Sequence, residues 1–284
     1  MNEKKVWLIT GCSTGFGREL AKQLLENDYR VVVTARNADK VDDLVSINKD
    51  NALALNLDVT DKAQVADAVA KAVEHFGKID VLVNNAGFGY FGSIEESEEQ
   101  EVRAMFEANF WGLAEMTRAV LPTMRGQKSG TIVNISSIGG FVGNPGVGYY
   151  NATKFAVNGF SEALKKEVAP LGIKVLLVQP SGFRTDWAGR SANDAPATIA
   201  DYKETAGQNQ ATIRGYSGSQ PGDPVRGVKA IIDAVESENM PFNLLLGRAA
   251  LRGARTKLEN LKQDFDTYAE TSEGADFPEA AAKS

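Results

Sequence analysis

The sequence predicts a doubly wound parallel α/β sheet, with helices on both faces in three α/β/α layers and a single domain. Three observations carry this expectation. Short runs rich in Val, Ile and Leu alternate with longer helical stretches, those runs are apolar at consecutive positions, and a glycine-rich turn joins the first run to the first helix. Strand and helix alternating over these lengths imply βαβ crossovers. Runs apolar on both faces belong to buried parallel strands. In such sheets ligands bind beyond the carboxyl ends of the strands.

Strands are expected over residues 5–10, 30–35, 52–57, 79–83, 131–136 and 173–179, and helices over 15–27, 61–76, 97–124 and 149–171. The loop Asp58-Val-Thr-Asp61 offers Thr60 or Asp61 as N-cap of the second helix. His75 falls near the end of that helix, before Phe76-Gly77, as a C-terminal helix residue. After Gln179 the rhythm breaks. Residues 180–223 form a long polar stretch with at most two short helical candidates, and such connections are usually lids or binding loops. A helix over 224–236 and a strand over 243–246 resume the pattern. Residues 1–247 therefore read as one α/β domain, with a lid at about 181–222. Leu251, Leu258, Leu261 and Phe265 recur at helical spacing over 248–268, and 272–284, rich in Ala, Glu and Gly, is expected to fray. Residues 248–284 thus read as a C-terminal helix and a flexible tail.

Composition narrows the function classes. The 284 residues are 43% hydrophobic, ordinary for a globular chain with a sizeable core. Net charge is −6 and no basic block suggests a nucleic-acid surface. No apolar run is long enough to span a bilayer. The start, Met1-Asn-Glu-Lys-Lys5, shows no signal-peptide core. The single cysteine, Cys12, excludes an internal disulfide and fits a reducing compartment, so a cytoplasmic location is expected. With one His and one Cys, no zinc site of the Cys/His kind can form within one chain, and no metal is expected. A Ser-His-Asp hydrolase is disfavoured for the same reason. Acid/base chemistry is left to Tyr, Lys and carboxylates.

Tyr150 and Lys154 stand one helical turn apart, with Ser137 upstream beyond the stretch 139–148. A phenol has an ordinary pKa of about 10, too high for a good general base at pH 7. A lysine at i+4 on the same face places a cation near the phenolic oxygen and favours phenolate. The Ser137 hydroxyl could then hold the oxygen whose proton Tyr150 gives or takes. Tyr–Lys pairs at this spacing also occur on ordinary helices, so the pair alone decides nothing.

Nearer the N-terminus, the first strand runs into Thr10-Gly-Cys-Ser-Thr-Gly15-Phe-Gly17. Its spacing, Gly-x-x-x-Gly-x-Gly, differs from the usual dinucleotide fingerprint but shares its physics. Glycines let the backbone turn tightly and approach a pyrophosphate at the helix N-terminus. The second strand ends in Val33-Thr-Ala-Arg36. An acidic residue there accepts from the ribose hydroxyl of NAD, whereas an arginine pairs with the extra phosphate of NADP. Ala35 supplies no carboxylate and Arg36 can make a bidentate phosphate contact, which favours NADPH over NADH.

In this order the motifs make the chain resemble the short-chain dehydrogenase/reductase family, a Rossmann-fold family, over about residues 5–247. The resemblance rests on 10–17, Asn84-Asn-Ala-Gly87, Asn109 within Asn-Phe-Trp-Gly112, Asn134-Ile-Ser-Ser137 and Tyr150-Asn-Ala-Thr-Lys154. It implies that Tyr150 is the acid/base and that Lys154 lowers its pKa and holds the nicotinamide ribose. It also implies that Ser137 orients the substrate oxygen and that Asn109 holds a water in a proton relay. Gly11, Ser13, Thr14, Gly15, Phe16 and Gly17 would line the cofactor phosphates. Asp58 and Val59 would lie beside the adenine, and Asn85, Ala86 and Gly87 along the adenosine side. Pro180, Gly182 and Phe183 would also contact the cofactor, and Thr185 would hold the nicotinamide amide. Ser181 stands where the family often has glycine, and Phe16 where Ile or Leu is frequent. The implied activity is hydride transfer between a nicotinamide and a carbonyl or alcohol.

Candidate pocket walls are Phe88, Tyr90 and Phe91, residues 141–147, and residues 183–187, which suggests a hydrophobic ketone, aldehyde or alcohol. Each of these residues could equally be core. Two other readings stand beside this one: an NADP-sensing protein, and an epimerase or dehydratase of the related extended family, which normally carries a larger C-terminal substrate domain. The resemblance further implies a homodimer or homotetramer through the helices at 97–124 and 149–171.

Overall fold

Val6–Ile9 (β1) is four apolar residues long, and all four are fully buried. Successive strand residues point to opposite faces, so this run demands cover on both sides. The computed structural model, which describes residues 4–277, supplies it. In chain order the other strands are Arg30–Ala35 (β2), Ala52–Asn56 (β3), Val81–Asn84 (β4), Gly89–Phe91 (β5), Gly130–Ile135 (β6), Ile173–Pro180 (β7), Ala192–Asp194 (β8) and Asn243–Leu246 (β9). Seven of them form one sheet in the order β3-β2-β1-β4-β6-β7-β9, every neighbouring pair parallel. The order reverses between β1 and β4, and the carboxyl ends around that point carry the site residues.

The helices are Gly15–Glu26 (α1), Asp42–Val45 (α2), Lys62–Phe76 (α3), Glu99–Phe106 (α4), Gly112–Gln127 (α5), Gly148–Val168 (α6), Gln208–Gly215 (α7), Pro224–Glu236 (α8), Arg248–Thr267 (α9) and Ala269–Glu273 (α10). One core packs Trp7, Ile9, Val31 and Val33 against Leu20 and Leu24 of α1 and Val228 and Ile231 of α8. The other packs Leu8, Val32, Leu82 and Ile132 against Val65 of α3, Met116 and Val120 of α5, and Leu164 of α6. Adjacent residues of one strand therefore serve opposite cores, which is why these strands read as continuous apolar runs.

Several boundaries differ from the sequence expectation. Asp61, not Thr60, caps α3, its carboxylate accepting from the backbone N–H of Ala63 at 2.9 Å and Gln64 at 3.2 Å. The helix expected over 97–124 is α4 and α5 joined by a π-helical turn at Glu107–Trp111, and it runs on to Gln127 despite Pro122. The polar stretch 180–223 holds more structure than two short helices: α7, a π turn at Lys203–Gly207, two 3-10 turns and β8. β8 pairs in parallel with β5 to make a separate two-stranded sheet. Of the tail expected to fray, 278–284 lie outside the described residues, and α10 ends at Glu273.

Candidate active site

The turn between β1 and α1 is held open by glycine. Gly11 and Gly15 take φ values of 73° and 62°, a region that L-residues with a side chain rarely adopt. A Cβ on Gly17 would collide with the Gly11 carbonyl oxygen and the Asn85 amide nitrogen. Thr10 and Asn85 brace this turn from below. The Thr10 hydroxyl oxygen accepts from the backbone N–H of Asn85 at 2.9 Å and of Ala86 at 3.0 Å. The Asn85 side-chain amide donates to the carbonyls of Thr10 at 2.9 Å and Gly11 at 3.0 Å. The first turn of α1 has no acidic residue and Thr14 makes no capping bond. Its N–H groups and dipole are thus available to an anion, and the cradle fits a pyrophosphate. Burial pushes the Cys12 thiol up to about 12, and its sulfur donates to the Ile9 carbonyl, so it packs rather than reacts.

Farther along the sheet edge, Arg36 is exposed at the end of β2, with no partner for its guanidinium among the described residues. Asp58 accepts from the N–H and hydroxyl of Thr60 at 3.0 and 2.7 Å, and Val59 packs tightly on Gly112.

Four polar residues converge at the carboxyl ends of β4 and β6. Ser137 follows β6 and caps a 3-10 turn, its hydroxyl oxygen accepting from the Gly139 N–H at 3.0 Å. Its neighbour Ser136 turns away and donates to Asn158 at 2.6 Å. Tyr150 and Lys154 lie on α6, both buried. Lys154 Nζ donates to the Ile135 carbonyl at 2.9 Å and lies 5.8 Å from the centre of the Tyr150 ring. Asn109 sits in the π-helical turn. Its amide oxygen accepts from the Phe88 N–H at 2.9 Å, and its nitrogen donates to the Phe88 carbonyl at 2.9 Å and the Thr153 hydroxyl at 3.3 Å. Gly87 threads between them: a Cβ there would lie 2.8 Å from the Asn109 oxygen and 4.0 Å from Lys154 Nζ.

The lowering of the Tyr150 pKa expected from Lys154 is not seen; the phenol moves the other way. Burial pushes Tyr150 up to about 12, and the hydrogen bond with Ser137 pulls only partly the other way. Burial likewise brings Lys154 down to about 8. Desolvation disfavours the charged form of both groups, so at pH 7 Tyr150 is a phenol with a proton to give.

After β7 the chain folds back over the site. Ser181 donates its N–H to the Leu246 carbonyl at 2.9 Å. Among described non-glycine residues only Asp28 and Lys128 have positive φ, so the serine needs no glycine-like backbone. Its hydroxyl lies where a Cβ on Gly247 would be, and Gly247, at φ 93°, makes the room. Phe183 meets Phe16 edge-on at 5.0 Å and 74°. Thr185 Cβ lies 3.8 Å from where a Gly15 Cβ would stand, and the Thr185 hydroxyl accepts from the Trp187 N–H at 3.4 Å. Trp187 packs on Tyr150, centroids 4.9 Å apart, and on Phe91 at 5.3 Å. Tyr90 and Phe91 are buried beneath this segment and serve as its floor. Arg214 clamps it, donating to the carbonyls of Ala188, Gly189 and Ala192 at 3.0, 2.7 and 2.8 Å and pairing with Asp194 at 2.9 Å.

Thus the structure brings Asn109, Ser137, Tyr150 and Lys154 together with Gly87, and the glycine turn together with Phe183 and Thr185. Arg36, Asp58 and Val59 line the edge beyond. Sequence reasoning missed Thr10 as a brace, Thr153 as the partner of Asn109, and Arg214 as a clamp. Thr153 carried a usable signal, one residue before Lys154 on the same helix; Arg214 carried none.

Comparison with known proteins agrees with this architecture. A family model described as short chain dehydrogenase matches residues 5–196, and the chain belongs to that family. Its members are enzymes acting between CH–OH and C=O groups with a nicotinamide cofactor. The chain is 38% identical over 269 residues to oxidoreductase BOA17 of Botryotinia fuckeliana, covering 94% of this chain and 98% of the relative. It is 42% identical over 204 residues to a 3-ketodihydrosphingosine reductase of Bacteroides thetaiotaomicron, covering 72% and 73%. A short-chain dehydrogenase structure from Streptomyces avermitilis superposes with a TM-score of 0.91 at 40% identity, covering 98% of this chain and all of that one. Related structures hold either cofactor: a Burkholderia phymatum enzyme with NAD (TM-score 0.81, 26% identity, 92% and 95% covered) and ElxO with NADP (0.72, 30%, 88% and 99%).

Proposed function

We propose that this enzyme reduces a hydrophobic ketone or aldehyde to an alcohol, and runs the reverse oxidation, with NADPH preferred over NADH. The observation that carries the reading is the buried Tyr150, kept as a phenol and flanked by Ser137 and Lys154. The cofactor supplies hydride. Ser137 positions the carbonyl oxygen by hydrogen bonding, and Tyr150 gives that oxygen its proton. Lys154, beside Asn109 across Gly87, reaches the ribose side and carries a replacement proton toward Tyr150. The glycine turn, 11–17, holds the phosphates. Arg36 takes the extra phosphate of NADP, Asp58 and Val59 flank the adenine, and Ala86 with Gly87 lines the adenosine side. Asn85 acts mainly as the brace of the turn. Pro180, Gly182, Phe183 and Thr185 hold the nicotinamide end.

Residues 181–222 act as the lid. Its Trp187 and Ile213 share an apolar cluster with Tyr150 and with Phe88 of the body, which suits a hydrophobic substrate. The Bacteroides relative, named for a 3-keto substrate, points to the same class. Trp111 and Phe155, 56% and 45% exposed on the π-helical turn and α6, support a homodimer or homotetramer through these helices. Cys12, alone and buried, supports the reducing cytoplasm as its location.

The test is a panel of carbonyls and alcohols run with both cofactors, beside Tyr150→Phe. Turnover with an apolar ketone, lost in Tyr150→Phe with NADPH affinity kept, is the expected result. Retained turnover in that variant rejects the mechanism. Tight NADPH binding without turnover on any substrate would favour a sensor instead.

A further inference from the structure

The C-terminal helix α9 is 20 residues long, which at 1.5 Å per residue is about 30 Å, yet only Ala250 and Ala254 are buried. Its base rests on the loop after Ser137, where Gly253 approaches Ile138 and Val142. Beyond Ala254 the helix leaves the body. Leu251, Leu258, Phe265 and Tyr268 are 43%, 57%, 67% and 64% exposed, and Leu261 is half-buried. Leu251, Leu258 and Phe265 recur every seven residues, and so do Ala254, Leu261 and Tyr268. That is the a/d pattern of a helix that packs along another helix.

Charge says which helix. From 248 to 257 all four charged residues are basic: Arg248, Arg252, Arg255 and Lys257. From 258 to the end of the helix at 267 three of four are acidic, Glu259, Asp264 and Asp266, and the exception, Lys262, is paired with Asp266. This order opposes the helix's own macrodipole, which favours acidic residues at the N-terminus and basic ones at the C-terminus. It does not serve the isolated helix. It matches a second copy running the other way, where each basic half faces an acidic half; parallel pairing would set like against like. An anionic lipid surface would be repelled by the acidic, more exposed half.

We propose that α9 pairs antiparallel with α9 of a second copy of this chain. A two-fold axis between residues 259 and 260 sets Leu258 against Leu261, Leu251 against Tyr268, and the small Ala254 against the large Phe265. It also brings Lys257 of each helix to Asp264 of the other. This contact is separate from one through α4 to α6, so it adds a second interface to whatever assembly that surface makes.

Sedimentation velocity on the full chain at low salt tests this, with thermal unfolding to show that each variant folds. The L258E/F265E chain is expected to sediment as a smaller particle, at most half the mass of the unsubstituted chain; an unchanged mass overturns the proposal. K257E alone and D264K alone are each expected to weaken association about tenfold, since a facing ion pair becomes a repulsive one. The combined K257E/D264K chain restores it, because antiparallel pairing re-forms the contact in reverse. Failure of the double variant to restore association overturns the antiparallel arrangement. Flotation of the unsubstituted chain with phosphatidylcholine vesicles, abolished by L258E/F265E while the mass in solution stays constant, would assign the face to lipid and overturn it as well.

Discussion

The indole of Trp187 covers the phenol of Tyr150, ring centroids 4.9 Å apart and planes at 52°, so the proposed proton donor lies beneath the segment proposed as the lid. Arg214 keeps the cover down through three carbonyls and Asp194, with its guanidinium 4.8 Å from the centre of Phe91. Lysine cannot reproduce that planar fork. Arg214→Lys is expected to speed hydrogen exchange at Gly89 and Ala195, whose amides join β5 to the covering segment, and to raise KM more than it lowers kcat. Exchange at the native rate at both amides would show that the clamp holds nothing.

Arg36 is free to take a phosphate, and hydrogen bonds to charged groups are worth about 1.5–3 kcal/mol. Arg36→Ala is therefore expected to weaken NADPH about tenfold to a hundredfold while leaving NADH nearly unchanged. Titration of both cofactors by fluorescence decides it, and equal losses would reject the NADP assignment.

Burial holds Lys154 near 8 and Tyr150 near 12, against ordinary values of 10.5 and 10.0. Between pH 8 and 10.5 the unfolded chain binds a proton at Lys154 that the folded chain has released, so this contribution to stability rises with pH. Between pH 10 and 12 the folded chain keeps the Tyr150 proton that the unfolded chain loses, so that contribution falls. Lys154→Met removes the first effect. In denaturant titrations without cofactor, wild type is expected to gain stability relative to this variant from pH 8 to 10. Parallel curves would show that burial does not burden the lysine.

Ser181 and Gly247 fit as a pair. Gly247→Ala places a methyl against the Ser181 hydroxyl and forces a side chain onto φ 93°, a strain of about 1–3 kcal/mol. Adding Ser181→Gly relieves the contact but not the backbone, so partial recovery is expected in a double-mutant cycle of unfolding free energies. Full recovery would mean that the dihedral carries no strain.

Much of the fold was legible because each strand feeds two cores: a run such as Val6–Ile9 admits few other readings. The site residues were legible because they sit at the ends of those strands or at fixed helical spacing, as Tyr150 and Lys154 do. β5 and β8 were not, since each has three residues and pairs with a partner about a hundred positions away. The state of Tyr150 was hidden too: spacing announces the lysine, whereas the burial that raises the phenol's pKa involves Trp187, contributed by a distant chain segment.

Phe16 stands inside the glycine turn, and its ring abuts Phe183, four residues before Trp187. Phe183 has little freedom of its own, because a Cβ on Gly222 or Gly227 would come within 2.6 or 2.7 Å of its ring. Whatever seats against Gly15–Gly17 therefore also presses, through Phe16 and Phe183, on the chain that leads to the cover over Tyr150. If the proposed function holds, the two ends of the crevice share one free energy, and product-inhibition patterns are expected to show a compulsory order, dinucleotide first in and last out.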